Sequence, residues 1–137
     1  MSVDIIARAL AQPLTPVTAT AVAISSLRLA TSVGIIQTSG YDVAGVGAGV
    51  YVADALATLA LATAHPRFCK ADGSSPTRYW RLIGSSVQFE QGGASSAAGF
   101  DNRSAIQAAI NYARAVGIRR VEPASDGQTY ELWAPTL

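Results

Sequence analysis

Val3, Ile6 and Leu10 recur at helical spacing, with Ile5 and Ala9 beside them, so the chain opens on a pattern that predicts a short helix over residues 3–10. Asp4 in the first turn and Arg8 in the last suit the helix dipole, and Pro13 and Pro16 end the pattern. A helix this short is marginal alone in water. It is expected to pack on a partner, which makes Val3, Ile5, Ile6 and Leu10 the candidate attachment surface. Residues 17–23 are rich in Thr and Val and read as extended, with a brief helical turn over 25–30. The β-branched run 33–38 and residues 50–52 read as strands joined by a glycine-rich excursion, in which Gly45, Gly47 and Gly49 permit tight turning and close backbone approach.

Further along, Asp54 is placed to cap a helix over 55–64, with Leu56, Leu59 and Ala60 on one face, Leu61 broadening it, and His65-Pro66 ending it. Residues 68–70 and 79–83 read as paired strands around a turn at 72–76, and 87–90 as a further strand before a loop of small residues at 92–99. The strongest amphipathic pattern spans 102–116. Asp101 is its predicted cap, Ile106, Ala109, Ile110, Ala113 and Val116 its apolar stripe, and Gly117 its left-handed terminator. Strands are expected at 118–121 and 129–133.

Composition sharpens this picture. Half of the 137 residues are hydrophobic but few are aromatic, and only 14% are charged, against about 25% in an ordinary soluble domain. A surface so poor in charge is expected to be shared with other copies of the chain or with a partner. The net charge of +1 is spread without a basic stripe, which argues against nucleic acid. Residues 1–12 do not form a signal-peptide core, and Arg28 interrupts the apolar stretch 17–36, so neither secretion nor membrane insertion is expected.

Residues able to do chemistry are few and dispersed. Cys69 is the single cysteine and reads as a buried thiol; with His65 as the single histidine, no metal cluster and no cofactor is expected. His65 reads as a helix C-cap. Gly45, Gly47 and Gly49 lack the spacing of a dinucleotide fingerprint, and a strand follows them where a helix should open. Asp72 and Asp126 read as turn residues. Glu122 and Glu131 lie on neighbouring predicted strands and form the one conceivable carboxylate pair for glycoside hydrolysis. Trp80, Trp133, Tyr79 and Tyr130 could stack on sugars but read first as core or subunit contacts. The chain is thus expected not to be an enzyme.

Residues 87–94 (Val-Gln-Phe-Glu-Gln-Gly-Gly-Ala), the capped helix from Asp101 through Ile110, the Pro123-Ala124 pair and the Thr129–Leu132 segment together resemble the start of a right-handed β-helix of the pectate-lyase-like type found in phage tailspikes. Residues 26–28, 40–51 and 79–82 resemble the stretch preceding such β-helices, with Val46 standing where the family commonly carries Asp. The resemblance covers roughly residues 25–135.

It implies a mixed α+β chain: a small β-rich N-terminal domain with short helices, then the capping helix and first strands of a right-handed parallel β-helix. Residues 1–24 would be an attachment segment, 25–90 a head or anchor domain, and 91–137 the neck, with Asp101, Ile106 and Ile110 in the cap. It further implies a homotrimer in the phage virion, assembled in the host cytoplasm and docked to a tail or baseplate protein. A host surface glycan would be met only by a downstream region. The family's catalytic carboxylates lie on later coils and match no position here. A polysaccharide lyase or hydrolase fragment, or a carbohydrate-binding module, is the alternative.

Overall fold

The structure is a computed structural model that describes residues 16–17, 20–26, 29, 32–73, 78–124 and 129–132. The predicted helix at 3–10, with Val3, Ile5, Ile6 and Leu10, lies outside the described residues, as does Trp133.

Alternation of buried and exposed side chains builds the first layer. Strands β1 (Pro16–Val17), β2 (Ile35–Thr38), β3 (Val50–Val52), β4 (Cys69–Ala71) and β5 (Tyr79–Ile83) form one sheet in the order β1-β2-β3-β5-β4. Only the β1–β2 pair is parallel; the other three pairs are antiparallel. Ile36 pairs with Tyr51 and Tyr51 with Leu82, so three buried side chains lie side by side across the sheet. Trp80, two residues from Leu82 and therefore on the same face, is fully buried.

A second, two-stranded sheet pairs β6 (Val87–Gln88) in parallel with β7 (Val121–Glu122). Helix α2 (Arg103–Val116) forms the crossover between them and packs on the first sheet through Tyr112. The Tyr112 ring stacks on Phe68 at 4.6 Å and its hydroxyl donates to the Leu82 carbonyl at 2.5 Å. One core therefore runs from Ala21 and Ile24 through the sheet to Ala109, Tyr112 and Ala113. The molecule is a small mixed α/β fold in which antiparallel pairing predominates.

Several elements differ from the sequence reading. Residues 21–26 form a 3-10 helix (Ala21–Ser26), not the end of an extended stretch, and of the turn predicted at 25–30, Leu27, Arg28 and Ala30 lie outside the described residues. Its placement is tertiary: the Ala21 and Val22 amides donate to Gly40 and Tyr41 carbonyls, and Ala21 and Ile24, three apart, share the buried side. Helix α1 covers only Leu59–Ala64, capped by Thr58, whose hydroxyl accepts from Leu61 N. Asp54 is occupied elsewhere. It closes a turn on the Leu56 and Ala57 amides and pairs with Arg81 through two bonds of 2.7 and 2.8 Å. Leu56 and Leu59 are exposed, and Leu61 is the one that packs toward the core.

The predicted strand at 87–90 ends at Gln88, and Phe89–Gly92 forms a second 3-10 helix. The Gln91 side chain enforces this, accepting from Gln88 N and donating to Ala48 O. In α2 the buried line is Ala105, Ala109, Tyr112 and Ala113; Ile106 and Ile110 are half-buried at its edge, because Tyr112 sets the face that meets the sheet. Gly117 ends the helix at φ 79°, as expected. Residues 118–120 and 129–132 are irregular, not strands. The Ile118 amide turns back to Ala113 O, which withdraws it from the β6–β7 ladder.

Candidate functional site

The glycine-rich excursion is a compact double turn. Tyr41 N donates to Val46 O, Gly45 N to Ser39 O, and Thr38 Oγ1 exchanges two bonds with the backbone of Gly49. Gly47 adopts φ 74°, and a Cβ there would come within 3.0 Å of the Glu90 carbonyl. This glycine lets the loop lie against the second 3-10 helix, so the close approach of backbones predicted for it is met by a specific partner. No helix follows the loop to receive a phosphate.

Between this loop and residues 90–96 run two adjoining clefts. The first, of about 280 Å³, includes Tyr41, Asp42, Val43, Arg67 and Ser95 in its walls. The second, of about 350 Å³, is bounded by Gly45, Ser96, Ala124 and Tyr130. Val46, Glu90, Ala94 and Ser95 belong to both. In the first cleft the Arg67 guanidinium lies 3.5 Å over the Tyr41 ring and its Nε donates to Gln91 O at 2.8 Å. Gly93, at φ 100°, leaves room for that guanidinium, and Asp42 pairs with it loosely at 3.7 Å. The stack and the backbone bond hold the arginine in one orientation.

Glu90 is buried where the two clefts meet. Its Oε1 accepts from the Tyr130 hydroxyl and its Oε2 from Ala124 N at 2.8 Å. Burial, then the adjoining carboxylate, push the Tyr130 hydroxyl up to about 12, so it stays a proton donor to Glu90 at neutral pH. Sequence reading passed over Glu90 because its apparent place was within a strand. Its signal was its isolation as the only charged residue between Arg81 and Asp101.

The other expected groups are dispersed. Glu122 faces Arg120 at 3.8 Å, while Glu131 Oε2 accepts from Gly99 N at 2.6 Å, so these carboxylates serve different neighbours. Trp80 is fully buried under Arg78 and offers no face to a sugar; Tyr130 has its edge on Phe89. His65 is the C-cap of α1, but its backbone N–H makes the cap bond to Leu61 O, and its ring meets Tyr112 edge-on. Cys69 is buried, and desolvation raises its thiol to about 11. It is a poor nucleophile at neutral pH. Asp72 is buried and paired with Arg78 at 2.9 Å. No three acidic, histidine or cysteine side chains gather as a metal site among the described residues, and no described helix is long and apolar enough to cross a membrane.

Asp101 accepts from Arg103 N and pairs with the Arg103 guanidinium, so it meets a first-turn amide of α2 from just outside the helix. The group that organises this entrance is Asn102, which is fully buried. Its Oδ1 accepts from Ser95 N, and its Nδ2 donates to the carbonyls of Ser95, Phe100 and Glu131. Its amide also donates to Glu131 O. One side chain thus ties the small-residue loop, the helix start and the segment 129–131 together.

Comparison with protein-family models, with curated proteins and with solved structures finds no match to this chain.

Proposed function

We propose that this chain is the N-terminal anchor module of a trimeric phage tailspike or tail fibre, a structural virion component that joins a receptor-binding β-helix to the tail or baseplate. In this reading residues 91–137 form the neck and the start of the right-handed β-helix, and chemistry on glycans belongs to a downstream region. The observation that carries the reading is the parallel register of Val87 with Val121 and of Gln88 with Glu122 across helix α2. Parallel strands joined by a covering helix are what the capped opening of a parallel β-helix requires. The cover is close: a Cβ on Gly92 would overlap the Ala105 carbonyl, so the helix backbone lies directly on the second 3-10 helix.

The surface supports sharing among copies. Val43 and Val46 on the glycine loop, Leu56 just before α1 and Leu59 at its first position are large apolar side chains exposed by half or more. Residues 55–64 carry no charge at all. Three identical contacts acting together would give firm anchoring from individually modest burial.

The test is the molar mass of the full chain by light scattering over a dilution series, with and without residues 1–16. The expected result is a stable threefold mass for both, with only the full chain incorporating into particles. A clean monomer at all concentrations removes the trimeric anchor. Incorporation without residues 1–16 removes the attachment role of Val3, Ile5, Ile6 and Leu10.

A further inference from the structure

A buried carboxylate is costly unless its charge is matched. Glu90 has two hydrogen bonds, from a neutral phenol and a backbone amide, but among the described residues no arginine or lysine forms an ion pair with it. The nearby cations are engaged otherwise: Arg67 with Gln91 O and Asp42, and Lys70 with Pro66 O. The adjoining stretch 125–128 is Ser-Asp-Gly-Gln and has no cation to offer. Each Glu90 oxygen has a second acceptor position beyond the bond described.

The second cleft opens on this carboxylate, which is the sole charged group of its wall among the described residues. Val46, Ala94 and Ala124 supply apolar surface, and Ser95 and Ser96 supply hydroxyls. Its volume of about 350 Å³ admits one long side chain. That combination matches arginine: an aliphatic stem against the small apolar side chains, and a planar head with several donors for Glu90 and the serines. A guanidinium is also more weakly hydrated than an ammonium and so loses less on entering.

We infer that the cleft between the glycine loop and residues 94–96 is a docking slot for an arginine side chain of a partner protein, with Glu90 as its counter-charge. The inference does not depend on the tailspike reading; it assigns a partner chemistry to a slot that any attachment role leaves open.

The test is an NMR titration of the full chain with N-acetyl-arginine methylamide, with N-acetyl-citrulline methylamide as its neutral isostere and spermidine as a free amine. The arginine probe is expected to shift the amides of Gly45, Gly47, Ser95 and Ser96 saturably, and to bind at least tenfold more tightly than either control. Glu90→Gln is expected to remove that preference. Should Glu90→Gln not fold, Ser96→Arg, at an exposed position, brings a guanidinium to the same cleft and is expected to abolish binding of the probe. Equal binding of citrulline, shifts confined to other residues, or an unchanged affinity in the folded Glu90→Gln or Ser96→Arg protein overturns the assignment. Spermidine binding as tightly as the arginine probe overturns the choice of a guanidinium.

Discussion

Cys69 and Asn102 show how much a single position holds here. The Cys69 thiol sits on the core side of β4, and its Sγ lies 3.8 Å from Thr58 O. Desolvation raises it to about 11 from an ordinary value of 9.0. The folded chain therefore keeps a proton that the unfolded chain has already lost between those values. Its contribution to stability is complete below about pH 9 and is lost as pH rises toward 11. Cys69→Ala is expected to flatten part of the fall in stability across that window, by roughly 2 kcal/mol at its upper end; urea unfolding at pH 8 and pH 11 measures it. Asn102 acts by geometry and not by charge. Asn102→Ala leaves the Ser95 amide and the Ser95 and Glu131 carbonyls without their side-chain partner, at a cost on the order of 3 kcal/mol. Thermal unfolding of the variant checks this, and Asn102→Asp, which keeps an acceptor for Ser95 N alone, is expected to recover only part of the loss.

At the scale of the element, sequence and structure agree where a local signal and the tertiary environment point the same way. Strands β2, β3 and β5, the β4–β5 hairpin, helix α2 and its Gly117 terminator were legible in alternation, helical spacing and glycine placement. They diverge where a side chain took a distant partner. Asp54 reads as a helix cap, but Arg81 on β5 claims its carboxylate, and α1 starts later on Thr58. Phe89 and Glu90 read as strand, but Gln91 reaches back to Gln88 N and across to Ala48 O and winds them into a 3-10 turn. The cleft was illegible for the same reason: Val46, Glu90 and Tyr130 are far apart in sequence, and only the fold assembles them. Gly92 gives this scale its own prediction. Its Cβ would meet the Ala105 carbonyl, which belongs to a helix backbone and cannot give way as a flexible side chain can. Gly92→Ala is expected to cost on the order of 2 kcal/mol, and more than Gly34→Ala, where a Cβ meets open space; parallel denaturation curves compare them.

For the whole molecule, low charge and exposed leucines and valines, among them Leu56, Leu59, Val43 and Val46, are the features on which the proposed sharing of surface among copies rests. Among the described residues the parallel β6–β7 pair is a sheet of two strands, each with one edge unpaired. Tyr112 has a consequence of a different kind. Its ring on Phe68 and its hydroxyl on Leu82 O fasten helix α2 to the strands of the first sheet. The helix cannot leave without stranding a buried carbonyl and opening the core that the sheet itself needs. Sheet and helix are thus one cooperative unit, whose protected amides should exchange with solvent together, at a common free energy of opening, and not in two tiers.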